Sequence, residues 1–196
     1  MASTTLIFDL DGTIWDSRRF YAKVISLAGG DFDQAVQGLI GGLPAARLMR
    51  EAGISSQGFI GVAASIKDDL ELYPSARRTI HRLRAINMPM GIVTSLPKWV
   101  AQPMLQVTNL FNLFDTVVGW GRCRSAKPSP KPLLLALQDL NVNPSKDVWY
   151  IGDSVTDGQA ARAARISFAW ASYGYGEAKP VEADKILGGL VDVLLL

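Results

Sequence analysis

Cysteine, histidine and long hydrophobic runs are what this sequence of 196 residues has least of. Its one cysteine, Cys123, excludes an intrachain disulfide framework, suits a reducing compartment and reads as a plain buried or half-buried thiol. Its one histidine, His81, taken with that lone thiol, argues against a zinc site and leaves no Ser/His/Asp or Cys/His nucleophile arrangement. No apolar run is long enough to cross a bilayer: the stretch in MASTTLIFDL is too short for a signal peptide, and LVDVLLL at the other end is also too short. The expected location is therefore cytoplasmic, with no membrane partner. Charge of one sign is also scarce, the formal net charge being +2. The one locally basic stretch, ARRTIHRLR from Ala76 to Arg84, reads as a solvated helix face, so no nucleic-acid partner is expected.

What is present is an ordinary globular composition, 48% hydrophobic and 19% charged, in a chain long enough for one sizeable core and a small insert. Short β-rich runs recur at TTLIFD, PMGIVTS, FDTVVGW, DVWYIGD and ISFAWAS, separated mostly by segments of helical length. That alternation predicts an α/β fold, a Rossmann-like doubly wound parallel sheet with helices on both faces. In SARRTIHRLRAIN the apolar residues Ile80, Leu83 and Ile86 recur every three positions, opposite arginines. SPKPLLLALQDLNV starts a helix near proline and ends it at Asn141. Far more chain lies between the first two runs than one crossover helix needs. Residues 15–72 are accordingly expected to form a small α-helical cap, inserted into a core made of residues 1–14 and 73–196.

Ligands of an open parallel sheet bind outside the carboxyl ends of its strands. Four polar clusters, far apart in the chain, fall on that edge: Asp9 and Asp11 after the first run, Thr94 and Ser95 at the second, Lys127 after FDTVVGW, and Asp153, Ser154 and Asp157 after DVWYIGD. Carboxylates gathered there repel unless a cation neutralises them or protons are retained. A hard divalent cation is the economical solution, and Mg²⁺ suits one or two carboxylates plus a substrate phosphate. Lys127 and the hydroxyls of Thr94 and Ser95 add donors fit for a phosphoryl group, and an aspartate is left as the nucleophile, forming an acyl-phosphate.

DLDGT at Asp9 to Thr13, VTS at Val93 to Ser95, KPSP at Lys127 to Pro130 and GDSVTD at Gly152 to Asp157 resemble, in order, the four motifs of the haloacid dehalogenase superfamily of phosphohydrolases. YPSA from Tyr73 and WASYGYGE from Trp170 further resemble its phosphoglycolate phosphatase branch. The resemblance implies that Asp9 is nucleophile and metal ligand. Asp11 would protonate the leaving oxygen and later activate water, with its backbone carbonyl on Mg²⁺. Asp153 would be the third protein ligand, with Asp157 and Ser154 behind it. Thr94, with the backbone around Ser95 and Leu10, would hold the phosphoryl oxygens, and Lys127 would pair with both the phosphate and Asp9. In the cap, IGGLPAARLMR makes Arg47 a candidate for a substrate carboxylate or second phosphate.

The expected function is a Mg²⁺-dependent phosphatase acting on a small phosphate ester, phosphoglycolate-like or a sugar phosphate, as a monomer or homodimer. Two alternatives remain: a phosphomutase of the β-phosphoglucomutase type, and a catalytically weak phosphate-binding regulatory module. Asp11 argues against dehalogenase or phosphonate hydrolase chemistry, in whose branches another residue stands there. Tyr21 fills the place where the mutase branch carries a histidine. Trp15 stands where the family usually has a smaller aliphatic residue, and either narrows the gate to the site or packs the hinge.

Overall fold

The computed structural model describes residues 4–40, 45–176 and 182–196. Strand β1 (Thr5–Phe8) runs into a tight turn and a two-residue strand, β2 (Trp15–Asp16). Four helices follow, α1 (Arg18–Leu27), α2 (Phe32–Ile40), α3 (Ala45–Glu51) and α4 (Ser56–Ser65), then a second short strand, β3 (Glu71–Leu72). The remainder alternates: α5 (Ala76–Ala85), β4 (Met90–Pro97), α6 (Lys98–Val107), β5 (Thr116–Trp120), α7 (Lys131–Asp139), β6 (Val148–Gly152), α8 (Val155–Ala163), β7 (Ser167–Ala171) and β8 (Lys185–Leu187). A 3-10 turn, Leu190–Leu195, ends the chain, and among the described residues no helix is long and apolar enough to cross a membrane.

The main sheet has the order β5-β4-β1-β6-β7-β8, with every neighbouring pair parallel. A central strand covered on both faces needs apolar side chains at every position, and each residue of β1 is buried. Successive side chains serve opposite layers: Leu6 and Phe8 join the core under α5 and α6, whereas Ile7 joins the one under α7 and α8. From β1 the chain builds outward through β4 to β5, then returns to β6 on the other side of β1. That reversal creates a crevice at the carboxyl ends of β1, β4 and β6.

The helices between β1 and β4 hang from a stem. Antiparallel pairing of Trp15 with Leu72 and Asp16 with Glu71 holds the entering and leaving chain side by side. Buried Phe20, Tyr21, Val24 and Ile25, three or four residues apart, give α1 its inward face. Helix α4 rests on α6 of the sheet layer, where Phe59 meets the Trp99 ring edge-on at 5.6 Å. Such an aromatic pair adds about 0.5–1.5 kcal/mol to the area it buries.

Two local expectations change, and two features are new. The apolar stripe of α5 stops at Leu83: the helix ends at Ala85, and Ile86, entering the turn at Asn87 (φ 55°), is 66% exposed. Helix α7 ends at Asp139, two residues before Asn141, which takes the left-handed conformation (φ 55°) that closes a helix. Strand β8 and the β2–β3 stem were not anticipated, because two or three residues carry no readable period. In the segment that contains Arg47, residues 41–44 lie outside the described residues.

Candidate active site

The turn after β1 sets where its two carboxylates point. Thr13, Ile14 and Trp15 all donate backbone N–H groups to the Leu10 carbonyl, wrapping the chain back on itself. Gly12 makes this possible with φ 77°, and a Cβ there would overlap the Asp153 carboxylate. Asp9 and Asp11 leave the turn with largely different partners.

Asp9 joins a buried charge cluster. Lys127 Nζ lies 3.0 Å from Asp9 Oδ1 and 2.6 Å from Asp157 Oδ1, with the lysine side chain 5% exposed. The Tyr150 hydroxyl sits beside them, accepting from Lys127 at 3.1 Å and donating to the Val93 carbonyl at 2.9 Å. Asp157 divides its two oxygens: Oδ1 faces Lys127, while Oδ2 accepts from the backbone N–H and hydroxyl of Ser154 at 3.0 and 2.6 Å. Because Ser154 in turn caps α8, the helix start and the lysine partner are fixed by one capping box.

Asp153 completes the group. Its Oδ2 accepts from the backbone N–H groups of Tyr175 and Gly176 at 3.1 and 2.8 Å, and its carbonyl accepts from the Trp170 indole at 3.0 Å. The loop can come this close because residue 174 is glycine; a Cβ there would overlap the Gly12 carbonyl and the Asp153 side chain. Asp9, Asp153 and Asp157 each offer an oxygen within 4.8 Å of the others. Burial pushes the Asp153 carboxyl up to about 7, with Asp157 adding to the rise and Lys127 opposing it. Burial also holds Asp9 well above the ordinary carboxylate range, against the pull of Lys127. On Lys127 burial acts downward, but Asp157 and Asp9 outweigh it and hold the ammonium above its usual value.

Among the described residues, three buried carboxylates thus gather around one buried ammonium. Asp9 Oδ1 is buried without an aligned hydrogen bond among the described residues. A divalent cation fits this donor set, since three buried carboxylates supply hard oxygens within 4.8 Å of one another against a single ammonium, and the one contact to Asp9 Oδ1, from Lys127, is not an aligned hydrogen bond. Asp11 is absent from the cluster. Its carboxylate turns to Trp15, Ser17 and Tyr21 instead, and burial raises it while those three donors pull it down.

The Thr94 hydroxyl accepts from Leu96 N–H at 3.1 Å, and Thr94, exposed Ser95 and Lys127 line one small cleft. Arg47 is not brought to this group. Its Nε pairs with Glu51 Oε1 at 2.8 Å, one turn along α3, with both side chains about half exposed. Tyr150, Ser17, Tyr175 and the Gly174 turn are the site residues that sequence reasoning missed, and Trp15, read there as a gate or hinge residue, was not tied to Asp11. The string YGYG directly after an edge-facing strand was the available signal for the last two.

Acidic groups drawn around one buried lysine at a sheet's switch point define an α/β enzyme site built to handle anions with a cation's help. Comparison with known proteins makes the assignment sharper. The profile of the haloacid dehalogenase-like hydrolases matches residues 6–171, and the chain belongs to that family. It is similar to the phosphoglycolate phosphatase of Pseudomonas putida, 32% identical over 113 residues, covering 58% of this chain and 41% of the relative. With the Pseudomonas savastanoi enzyme of the same name it is 27% identical over 196 residues, covering 90% and 72%. The first of these matches thus takes in less than half the relative's length. A solved structure from Lactobacillus plantarum, provisionally described as a phosphoglycolate phosphatase, superposes with TM-score 0.76 at 28% identity, covering 100% of this chain and 99% of the other.

Proposed function

We propose that this chain is a Mg²⁺-dependent phosphatase that hydrolyses a small phosphorylated metabolite, phosphoglycolate-like or a sugar phosphate, through an aspartyl-phosphate on Asp9. The observation that carries the reading is the separation of the two carboxylates of one turn. Asp9 is drawn into the cluster of Lys127, Asp153 and Asp157, while Asp11 is held by neutral donors outside it. One can thus serve as an ionised nucleophile and its neighbour as the acid and base.

In this scheme Asp9 attacks phosphorus, and the bond to the ester oxygen breaks as Asp11 gives that oxygen its proton. Asp11, now a carboxylate, takes a proton from water, which attacks the phosphoryl group and releases inorganic phosphate and the Asp9 carboxylate. Lys127 keeps Asp9 oriented and paired. Thr94, with the backbone at Ser95 and Leu10, would receive the phosphoryl oxygens. Asp9, Asp153 and the Asp11 carbonyl would hold a divalent cation, whose charge would keep the carboxylates ionised and offset that of the phosphoryl group.

Residues 15–72 act as the cap on the core of residues 1–14 and 73–196, excluding water when closed. Arg47, occupied by Glu51, does not support a choice among substrates. The phosphatase homologues favour a phosphoglycolate-like ester, and the single thiol fits a cytoplasmic enzyme. A panel of phosphoglycolate, sugar phosphates, nucleotides and pyrophosphate tests the proposal. Phosphate release should require Mg²⁺ and vanish with EDTA or Asp9→Asn. Isomerisation of a sugar phosphate without release would instead mark a mutase, and a metal-replete protein inert across the panel would leave a binding module.

A further inference from the structure

Trp15 neither lines an opening nor merely fills space. It is fully buried on the stem, and its Nε1–H donates to Asp11 Oδ1 at 2.8 Å. The Ser17 and Tyr21 hydroxyls reach the same oxygen at 2.6 and 3.2 Å. Among the described residues, Asp11 Oδ2 meets only the longer Tyr21 contact of 3.3 Å. We infer that Trp15 is a positioning residue: its indole assigns the two oxygens of Asp11, keeping Oδ1 as an acceptor and leaving Oδ2 to carry the proton passed to the leaving group. This rests on the phosphatase reading above.

The argument turns on what each partner is able to do. A hydroxyl both donates and accepts, so Ser17 and Tyr21 alone would tolerate the carboxyl group in either of its two flipped orientations. An indole N–H only donates, so an oxygen 2.8 Å from it is unprotonated whether Asp11 is acid or base. Ser17 is itself steadied by the Tyr175 hydroxyl at 3.1 Å, from the loop whose backbone holds Asp153. Asp11 is therefore oriented by the stem and α1 on one side and, through Ser17, by the loop after β7 on the other. A smaller aliphatic residue at position 15 would fill space but fix neither oxygen.

The test compares leaving groups. Trp15→Phe keeps an aromatic ring and removes the N–H; Tyr21→Phe removes a hydroxyl with little loss of volume. Each is assayed with the alkyl phosphate turned over fastest in the panel, which needs a proton on departure, and with 2,4-dinitrophenyl phosphate, which does not. General acid catalysis contributes about 10²–10⁴-fold, so Trp15→Phe should lose roughly 10- to 100-fold on the alkyl ester in kcat/KM, which reports departure of the leaving group and not the hydrolysis step that both esters share. Loss on the aryl ester should stay within about threefold, and Tyr21→Phe should show a smaller loss with the same selectivity. Equal losses on both esters, in protein with unchanged circular dichroism, would overturn the inference. A second readout needs no turnover: the ¹⁵N-indole resonance of Trp15, assigned by its absence in Trp15→Phe, should shift in Asp11→Leu. A resonance that does not move refutes the contact, whereas wild-type protein inert toward both esters refutes the phosphatase reading itself.

Discussion

Raising the pH of the metal-free protein from about 5 to 8 should destabilise it, and a divalent cation should reverse the loss. Asp153 lies against Asp9 and Asp157 in a buried site, with a carboxyl pushed up to about 7. A carboxyl whose folded-state value lies above its unfolded value near 4 binds its proton more tightly when folded. Its contribution is therefore complete below about pH 4 and is lost as pH rises through about 7. The part of the gap that lies between pH 5 and about 7 corresponds to roughly 2.7 kcal/mol. For a chain of this size that is a fall in Tm of about 5–11 °C, and Asp9, displaced in the same direction, adds to it. Differential scanning fluorimetry in EDTA from pH 5 to 8 measures the slope, and Asp153→Asn isolates the residue, because the amide oxygen can still accept from Tyr175 and Gly176. The variant should have a flatter profile and exceed wild type in Tm at pH 8. Mg²⁺ at 100 times its Kd should restore about 2.7 kcal/mol, more at pH 8 than at pH 5, because it displaces protons. A wild-type Tm that rises over this range in EDTA, or an Asp153→Asn profile parallel to wild type, would refute the reasoning.

Other perturbations follow from the same packing. Gly174→Ala should displace Asp153, costing about 1–3 kcal/mol in urea unfolding and most of the metal-dependent activity. Lys127→Met strands Asp9 and Asp157 without their cation; a loss of about 3–5 kcal/mol in EDTA, partly recovered with Mg²⁺, is expected by urea unfolding. Phe59→Ala removes a fully buried ring from the α4–α6 contact and should cost about 3–5 kcal/mol in the same measurement.

Much of this was legible before any coordinates. Runs such as TLIF and VWYIG advertise strands because a sheet covered on both faces leaves no polar alternation, and their succession with helices dictates a parallel topology. Asp9, Lys127, Asp153 and Asp157 could be brought together on paper because every parallel strand delivers its carboxyl end to one edge. Asp11 was harder. Its separation from the cluster depends on the turn about the Leu10 carbonyl, which carries the indole of Trp15 back over it. No spacing rule reports a side chain returning on its own turn. Arg47 illustrates the opposite case: Glu51 four residues on was visible as an ion-pair partner, and the helix uses it that way. Strand β8 stayed hidden because three residues that, among the described residues, pair with β7 alone carry no pattern of their own.

The proposed mechanism requires that Asp9 becomes phosphorylated. Rapid mixing with the best substrate and Mg²⁺, acid quench and borohydride reduction would convert an acyl-phosphate at that position to homoserine, located by peptide mass spectrometry. Homoserine is expected at position 9 with substrate and metal together and absent when either is omitted. Steady phosphate release with residue 9 unmodified throughout, or reduction at a different carboxylate, would contradict it.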